Sequence, residues 1–137
     1  MLNNNKNPVS VSIIGGSGYT GAELIRLISK HSYFQLKQVV ANRNAGKKIQ
    51  DIFPHLRHLK LPDFISFEQI DFDNVDLIFC ALPHSTSQEI IVKIPKEKKI
   101  IDLSADFRLE RVEEYERWYG SKHIAHSLQE KAVYGLT

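Results

Sequence analysis

The stretch Val9-Ser10-Val11-Ser12-Ile13-Ile14-Gly15-Gly16-Ser17-Gly18-Tyr19-Thr20-Gly21 joins a short β-branched run to a string of glycines, and the apolar period changes immediately after it. The run before Gly15 reads as a buried strand. Beyond the glycines, Leu24, Ile25, Leu27 and Ile28 fall on one stripe of a helix from about Thr20 to Lys30. A glycine turn between a strand and a helix is where an open parallel sheet holds the diphosphate of a dinucleotide. Glycines permit the turn and close backbone approach, and the amides that open the helix meet the anionic phosphates. Two registers fit: Gly16, Gly18 and Gly21 spell G-x-G-x-x-G, whereas Gly15, Gly18 and Gly21 spell G-x-x-G-x-x-G. A purely structural strand-to-helix turn is the plainer alternative.

Outward from that turn, Leu36 to Ala41 reads as a second strand, and Asn42 to Pro62 mostly as loop with a helical turn. A weak strand is expected near Phe64 to Phe67. Asp76-Leu77-Ile78-Phe79-Cys80-Ala81-Leu82 is apolar without alternation, as in a central parallel strand covered on both faces, and Pro83 ends it. Ser85 or Ser87 is the expected cap of a helix carrying Ile90, Ile91 and Ile94, which Pro95 closes. Lys99 to Leu103 supplies another strand, and Val112, Tyr115 and Trp118 or Tyr119 mark an amphipathic helix. Strands alternating with helices in this way predict an α/β doubly wound parallel sheet, a Rossmann-like domain over residues 9–137 behind a disordered lead-in, 1–8.

Composition excludes several classes of function. Eighteen Lys plus Arg against sixteen Asp plus Glu give a net charge of +2 over 137 residues, too small and dispersed for a nucleic-acid partner. The single cysteine forms no internal disulfide, and Met1-Leu2-Asn3-Asn4-Asn5-Lys6-Asn7 has no signal-peptide core, so a cytoplasmic location is the default expectation. No apolar run approaches the roughly 20 residues of a membrane-spanning helix. Cys80, flanked by Phe79 and Ala81, reads as a small buried hydrophobe. His55 with His58, and His123 with His126, have i, i+3 spacing, but no further ligand completes a zinc set and no metal is expected.

An NAD site usually places Asp or Glu at the end of the second strand to hold the ribose 2′-hydroxyl. Here that position reads Ala41-Asn42-Arg43-Asn44, followed by Lys47 and Lys48. The charge suits a 2′-phosphate, so NADP(H) is expected; the alternative is a solvated basic loop. Leu82-Pro83-His84-Ser85 follows the central strand at the ligand-binding edge of the sheet and is expected to line the path of the nicotinamide half. Asp102-Leu103-Ser104-Ala105-Asp106-Phe107-Arg108 comes off the next strand at the same edge. Arg108 could clamp a carboxylate or phosphate by two parallel hydrogen bonds, or an Asp–Arg pair could merely fix the loop.

The run Gly18 to Leu27, Ala81-Leu82-Pro83-His84-Ser85, the segment Asp102 to Arg108 and Val133-Tyr134-Gly135-Leu136-Thr137 together resemble the N-acetyl-gamma-glutamyl-phosphate reductase family, relatives of the aspartate-semialdehyde dehydrogenases. The resemblance spans Val9 to Thr137. It implies NADPH-dependent reductive dephosphorylation of N-acetyl-γ-glutamyl phosphate to the semialdehyde, a step of arginine biosynthesis. By position it makes Gly15, Ser17, Gly18, Tyr19, Thr20 and Gly21 the diphosphate turn, Asn42 and Arg43 the 2′-phosphate end, and Leu82 and Pro83 the nicotinamide side. Ser104, Ala105 and Arg108 become the substrate-side wall. Ser85 stands where the family often has glycine, and Gly16 where it often has alanine.

In the family a nucleophilic cysteine follows the Tyr-Gly-Leu motif and a histidine base lies in a second domain. The implied chemistry is thiolate attack on the acyl phosphate, loss of phosphate to a thioester, then hydride transfer from NADPH. No catalytic residue is therefore expected within these 137 residues, which read as the NADP-binding portion, truncated before the catalytic and dimerisation domain and inactive alone. Apolar surface left uncovered is expected to favour self-association, and the full-length enzyme a homo-oligomer, dimer or tetramer, whose small-molecule partner is an acyl phosphate. The alternatives are a stand-alone NADP-binding regulatory module and an aspartate-semialdehyde dehydrogenase relative.

Overall fold

The computed structural model describes residues 7–135. Most of the expected lead-in, and the last two residues of the closing motif, Leu136 and Thr137, lie outside the described residues. Strands β1 (Val9–Ile14), β2 (Phe34–Val40), β3 (Phe64–Ile65), β4 (Leu77–Cys80) and β5 (Lys99–Asp102) form one parallel sheet in the order β3-β2-β1-β4-β5. Chain order reverses at β1, whose neighbours are β2 on one side and β4 on the other; in an open α/β sheet this switch point opens a crevice beyond the carboxyl ends of the strands.

The sheet is apolar on both faces, which is why its strands lack clean alternation. Val11 and Ile13 of β1 pack with Val39 against Ile25 and Ile28 of helix α1 (Tyr19–Ile28). The opposite face joins Ile14, Val40, Ile78 and Cys80 to Ile91 of helix α3 (Thr86–Ile91); helix α2 (Ile49–Ile52) adds Ile49 to the first face. The buried stripe of α1 is Gly21, Ala22, Ile25 and Ile28. Leu27, read from the sequence as part of it, is half exposed, because at 3.6 residues per turn it stands about 200° around the helix from Ile25, the centre of the buried stripe.

Helix α4 (Val112–Tyr119) buries Tyr115 and leaves Trp118 exposed, and a short α5 (His126–Gln129) follows. Between β2 and β3 the expected loop contains short 3-10 turns at Asn42–Asn44 and Pro54–Leu56 on either side of α2. One expectation is corrected. Neither Ser85 nor Ser87 caps α3 through its side chain. The Ser87 hydroxyl donates instead to Asp102, and the first amides of the helix are taken by Asp106, whose carboxylate outcompetes a hydroxyl as acceptor.

Candidate functional site

Gly15 decides how the chain leaves β1. Its φ is +86°, and a Cβ there would lie 2.5 Å from the Ala81 carbonyl oxygen, so only glycine passes so close to the exit of β4. The Gly15 and Gly16 amides both donate to Val40 O, at 3.0 and 2.9 Å, which commits the first donors of the turn to the sheet. Gly16 faces Val39, with 2.1 Å between a hypothetical Cβ and Val39 Cγ1, and Gly21 presses its Cα onto the Gly15–Gly16 backbone. At Gly18 the surroundings are different: the nearest atom to an added Cβ is Gly15 O at 4.0 Å. The two glycine registers are thereby separated. Gly15, Gly18 and Gly21 make the turn, the open approach and the helix seat, whereas Gly16 packs against β2.

Gly18 is also the N-cap of α1, with no side chain closing the helix and no acid in its first turn. The free amides and positive dipole end of this ten-residue helix therefore stand beside an open approach. They border a cleft of about 900 Å³ at the switch point. Gly15, Ser17, Gly18, Tyr19 and Thr20 line one wall; Val40, Ala41 and the Asn42–Asn44 turn line the second; Ala81, Leu82, Pro83, Thr86 and Ile90 line the third, with Phe67 and Leu103 at the margins. Gly21 lies beneath the loop rather than in the cleft.

The end of β2 carries no carboxylate. Asn42 Oδ1 accepts the Phe67 amide at 2.8 Å, and Lys47 Nζ donates to Asn44 Oδ1 at 3.2 Å. Arg43 is exposed, and the ion pairs among the described residues, Arg26–Glu23 and Arg111–Glu114, do not involve it. An uncapped helix start, a side-chain-free approach at Gly18 and this acid-free basic corner fit a nicotinamide dinucleotide, diphosphate at the helix and adenosine ribose at β2.

Of the Asp102–Arg108 loop, Leu103 alone reaches the cleft; Ser104, Ala105 and Arg108 lie outside its lining. The loop is not fixed by an Asp–Arg pair, since Arg108 is exposed and forms no ion pair among the described residues. Asp102 accepts from the hydroxyls of Ser87 and Ser104, each at 2.6 Å, and Ser104 Oγ accepts the Asp106 amide at 3.0 Å. Asp106, fully buried, accepts from the Ser85 amide at 2.7 Å, the Gln88 amide at 2.8 Å and the Tyr115 hydroxyl at 2.7 Å. Burial first, and then the Asp106 carboxylate, push the Tyr115 hydroxyl above its ordinary pKa. The sequence reading missed this hub, whose members are far apart in the chain; a second acid, Asp106, four residues after Asp102 and between Ala105 and Phe107 was the available signal.

His123 belongs to the same hub, its Nε2 donating to the Asp106 carbonyl at 2.7 Å while Nδ1 accepts the Ala125 amide at 3.3 Å. Its ring nitrogens therefore serve the backbone. Among the described residues no group of three or more His, Cys, Asp or Glu is placed to hold a metal ion. Cys80 is buried under the exit of β4, and desolvation, then the charge of Asp102, raise its thiol pKa, the opposite of what a nucleophile needs. A second, open hollow near the amino ends of β1 and β4, at Ser10, Asp71 and Asp76, has polar groups already bonded to one another, including Ser10 N–H to Asp76 at 2.8 Å and Asp71 N–H to Gln38 at 2.9 Å. No helix among the described residues is long and apolar enough to cross a membrane.

Residues 10–137 match the family described as semialdehyde dehydrogenase, NAD binding domain. The N-acetyl-gamma-glutamyl-phosphate reductase of Roseobacter denitrificans is 56% identical over 128 residues, 93% of this chain and 37% of that protein. A probable chloroplastic N-acetyl-gamma-glutamyl-phosphate reductase of Arabidopsis thaliana is 51% identical over 129 residues, 94% of this chain and 32% of its own length. In fold, the chain is similar to an aspartate semialdehyde dehydrogenase from Candida albicans solved with NADP, with a TM-score of 0.64 at 22% identity over 77% of this chain and 32% of that one. The chain thus spans about a third of the length of these relatives, which are oxidoreductases by name. The family match begins at the second residue of β1 and takes in every wall of the cleft, and the chain belongs to the semialdehyde dehydrogenase NAD-binding domain family.

Proposed function

We propose that the cleft binds NADPH and that the chain is the cofactor-binding portion of a cytoplasmic, homo-oligomeric N-acetyl-gamma-glutamyl-phosphate reductase. The observation that carries the cofactor half is the convergence of the uncapped α1, the open approach at Gly18 and the exposed Arg43 on one cleft. The substrate half is supported by relatives of that name at 51% identity and above. The amides of Tyr19 and Thr20 take the diphosphate, the Arg43 guanidinium takes the 2′-phosphate by a two-pronged contact, and Leu82 and Pro83 give the nicotinamide ring an apolar wall. When bound, NADPH would supply the hydride that takes the acyl carbon to the aldehyde level after phosphate has left. Arg108, exposed and outside the ion pairs, is the group of this chain that meets the substrate's phosphate or carboxylate, beside Ser104 and Ala105. Cys80 is no nucleophile on this reading, and the chain alone turns over no substrate.

Calorimetric titration with NADPH and NADH tests the cofactor half. NADPH is expected to bind the more tightly, and Arg43→Ala to cut the preference about 10- to 100-fold, through NADPH alone, as expected for a charge-assisted contact of roughly 1.5–3 kcal/mol. An undiminished preference would remove Arg43 from the role. For the substrate half, the product of the complete reading frame is assayed with NADP, phosphate and either N-acetylglutamate semialdehyde or aspartate semialdehyde. Faster turnover of the second would move the assignment to aspartyl phosphate.

A further inference from the structure

We propose that Asp106 is a positioning residue for the cleft: its buried carboxylate holds Ser85 in a positive-φ turn and thereby sets where Leu82 and Pro83 stand. The inference rests on the reading that the cleft takes a nicotinamide dinucleotide. Ser85 has φ 69° and ψ −42°, and no other non-glycine residue has positive φ among the described residues. This corner, near the γ-turn, is strained for any residue with a Cβ, and such strain persists only where the surroundings impose it.

The surroundings here are chiefly one carboxylate, beside the Ser87 amide that donates to Pro83 O at 3.2 Å across the turn. Asp106 Oδ1 accepts the Ser85 amide and the Tyr115 hydroxyl, both at 2.7 Å, while Oδ2 accepts the Gln88 amide at 2.8 Å. Asp106 is clamped in turn through its amide by Ser104 and through its carbonyl by His123. A helix N-terminus alone does not require this arrangement, because the Ser85 hydroxyl would cap α3 without the desolvation cost of a buried carboxylate. What the carboxylate adds is an inward pull on the Ser85 amide, which bends the chain between two segments that line the cleft, Leu82-Pro83 and Thr86. Leu82 also packs on the glycine turn, its Cδ2 lying 3.0 Å from where a Gly15 Cβ would be, so the bend and the diphosphate loop share one wall.

The test combines amide exchange without cofactor, NADPH titration and melting temperature on the whole chain. Asp106→Asn keeps the shape and removes one acceptor. It is expected to speed exchange of the Ser85 and Gln88 amides and to weaken NADPH about tenfold, the size of strain released in a single turn. Adding Ser85→Gly, which adopts φ 69° freely, is expected to restore affinity to within about threefold while the melting temperature stays where Asp106→Asn put it. Should Asp106→Asn not fold, Ser85→Val with Asp106 intact makes the same test from the other side, with affinity again falling about tenfold because a β-branched residue resists positive φ. Loss of melting temperature with affinity unchanged, no rescue by glycine, or native affinity in Ser85→Val each overturns the inference. Unchanged exchange in Asp106→Asn, with native NADPH binding intact, overturns the inference alone; failure of the native chain to bind a dinucleotide overturns the cofactor reading with it.

Discussion

Gly18→Val is expected to weaken NADPH binding at least ~100-fold while leaving the melting temperature within about 4 °C of the native value. The fold tolerates the change because Gly18 has φ −86° and ψ 174°, extended backbone that β-branched residues favour. An added Cβ meets nothing closer than Gly15 O at 4.0 Å. The one structural cost is a poorer N-cap for α1, on the order of 1 kcal/mol, partly offset by the reduced freedom of the unfolded chain. Binding has no such tolerance. A phosphate oxygen must come to about 2.9 Å from the amide nitrogens of the first turn, and the valine methyls occupy that approach. Losing two charge-assisted hydrogen bonds at about 1.5 kcal/mol each already exceeds a hundredfold. Titration calorimetry beside a thermal melt checks both halves. Native affinity in the valine protein would mean that the diphosphate does not use this turn.

That prediction needed the structure, although the turn itself was legible. The β-branched run before Gly15, the change of period after Gly21 and the unbroken apolar stretch at Leu77–Cys80 are local signals, and they sufficed for a doubly wound parallel sheet. The acid-free end of β2 was legible for the same reason, because the missing carboxylate has a known offset from the glycines. The division of labour among the glycines was not. It depends on Val39 behind Gly16 and on Ala81 beside Gly15, residues brought there by β2 and β4. The cap of α3 was misread because Ser85 and Ser87 are good local candidates, whereas Asp106 acts across 21 residues. Tyr115 announced itself as an apolar position on a helix stripe, but its hydroxyl partner could not be read from spacing. Local periodicity reports which face is buried; it does not report which buried polar group answers which amide.

Three residues further on, in the first turn of α1, Gly21→Ala is expected to have the opposite signature, lowering stability by about 2–4 kcal/mol and the melting temperature by roughly 10 °C. In an ordinary helix interior the substitution would stabilise by up to about 1 kcal/mol, so the sign is the test. The sign reverses because the new methyl would lie 2.6 Å from Gly15 O, 2.6 Å from Gly16 Cα and 2.7 Å from Gly16 C. All three are backbone atoms. The turn that carries them is held by the two amides on Val40 O and cannot rotate aside as a side chain would. Relief therefore requires α1 to move off the sheet, and the contacts that loosen are those of Ile25 and Ile28 with Val11, Ile13 and Val39, the centre of one core face. Gly18→Ala serves as the control, the same change three residues earlier, where 4.0 Å of clearance predicts only the minor loss of a glycine cap. A Gly21→Ala protein that melts at or above the native temperature would show that the helix seat yields, and the close packing of α1 on the glycine turn would then lose its role in fixing the shape of the cleft.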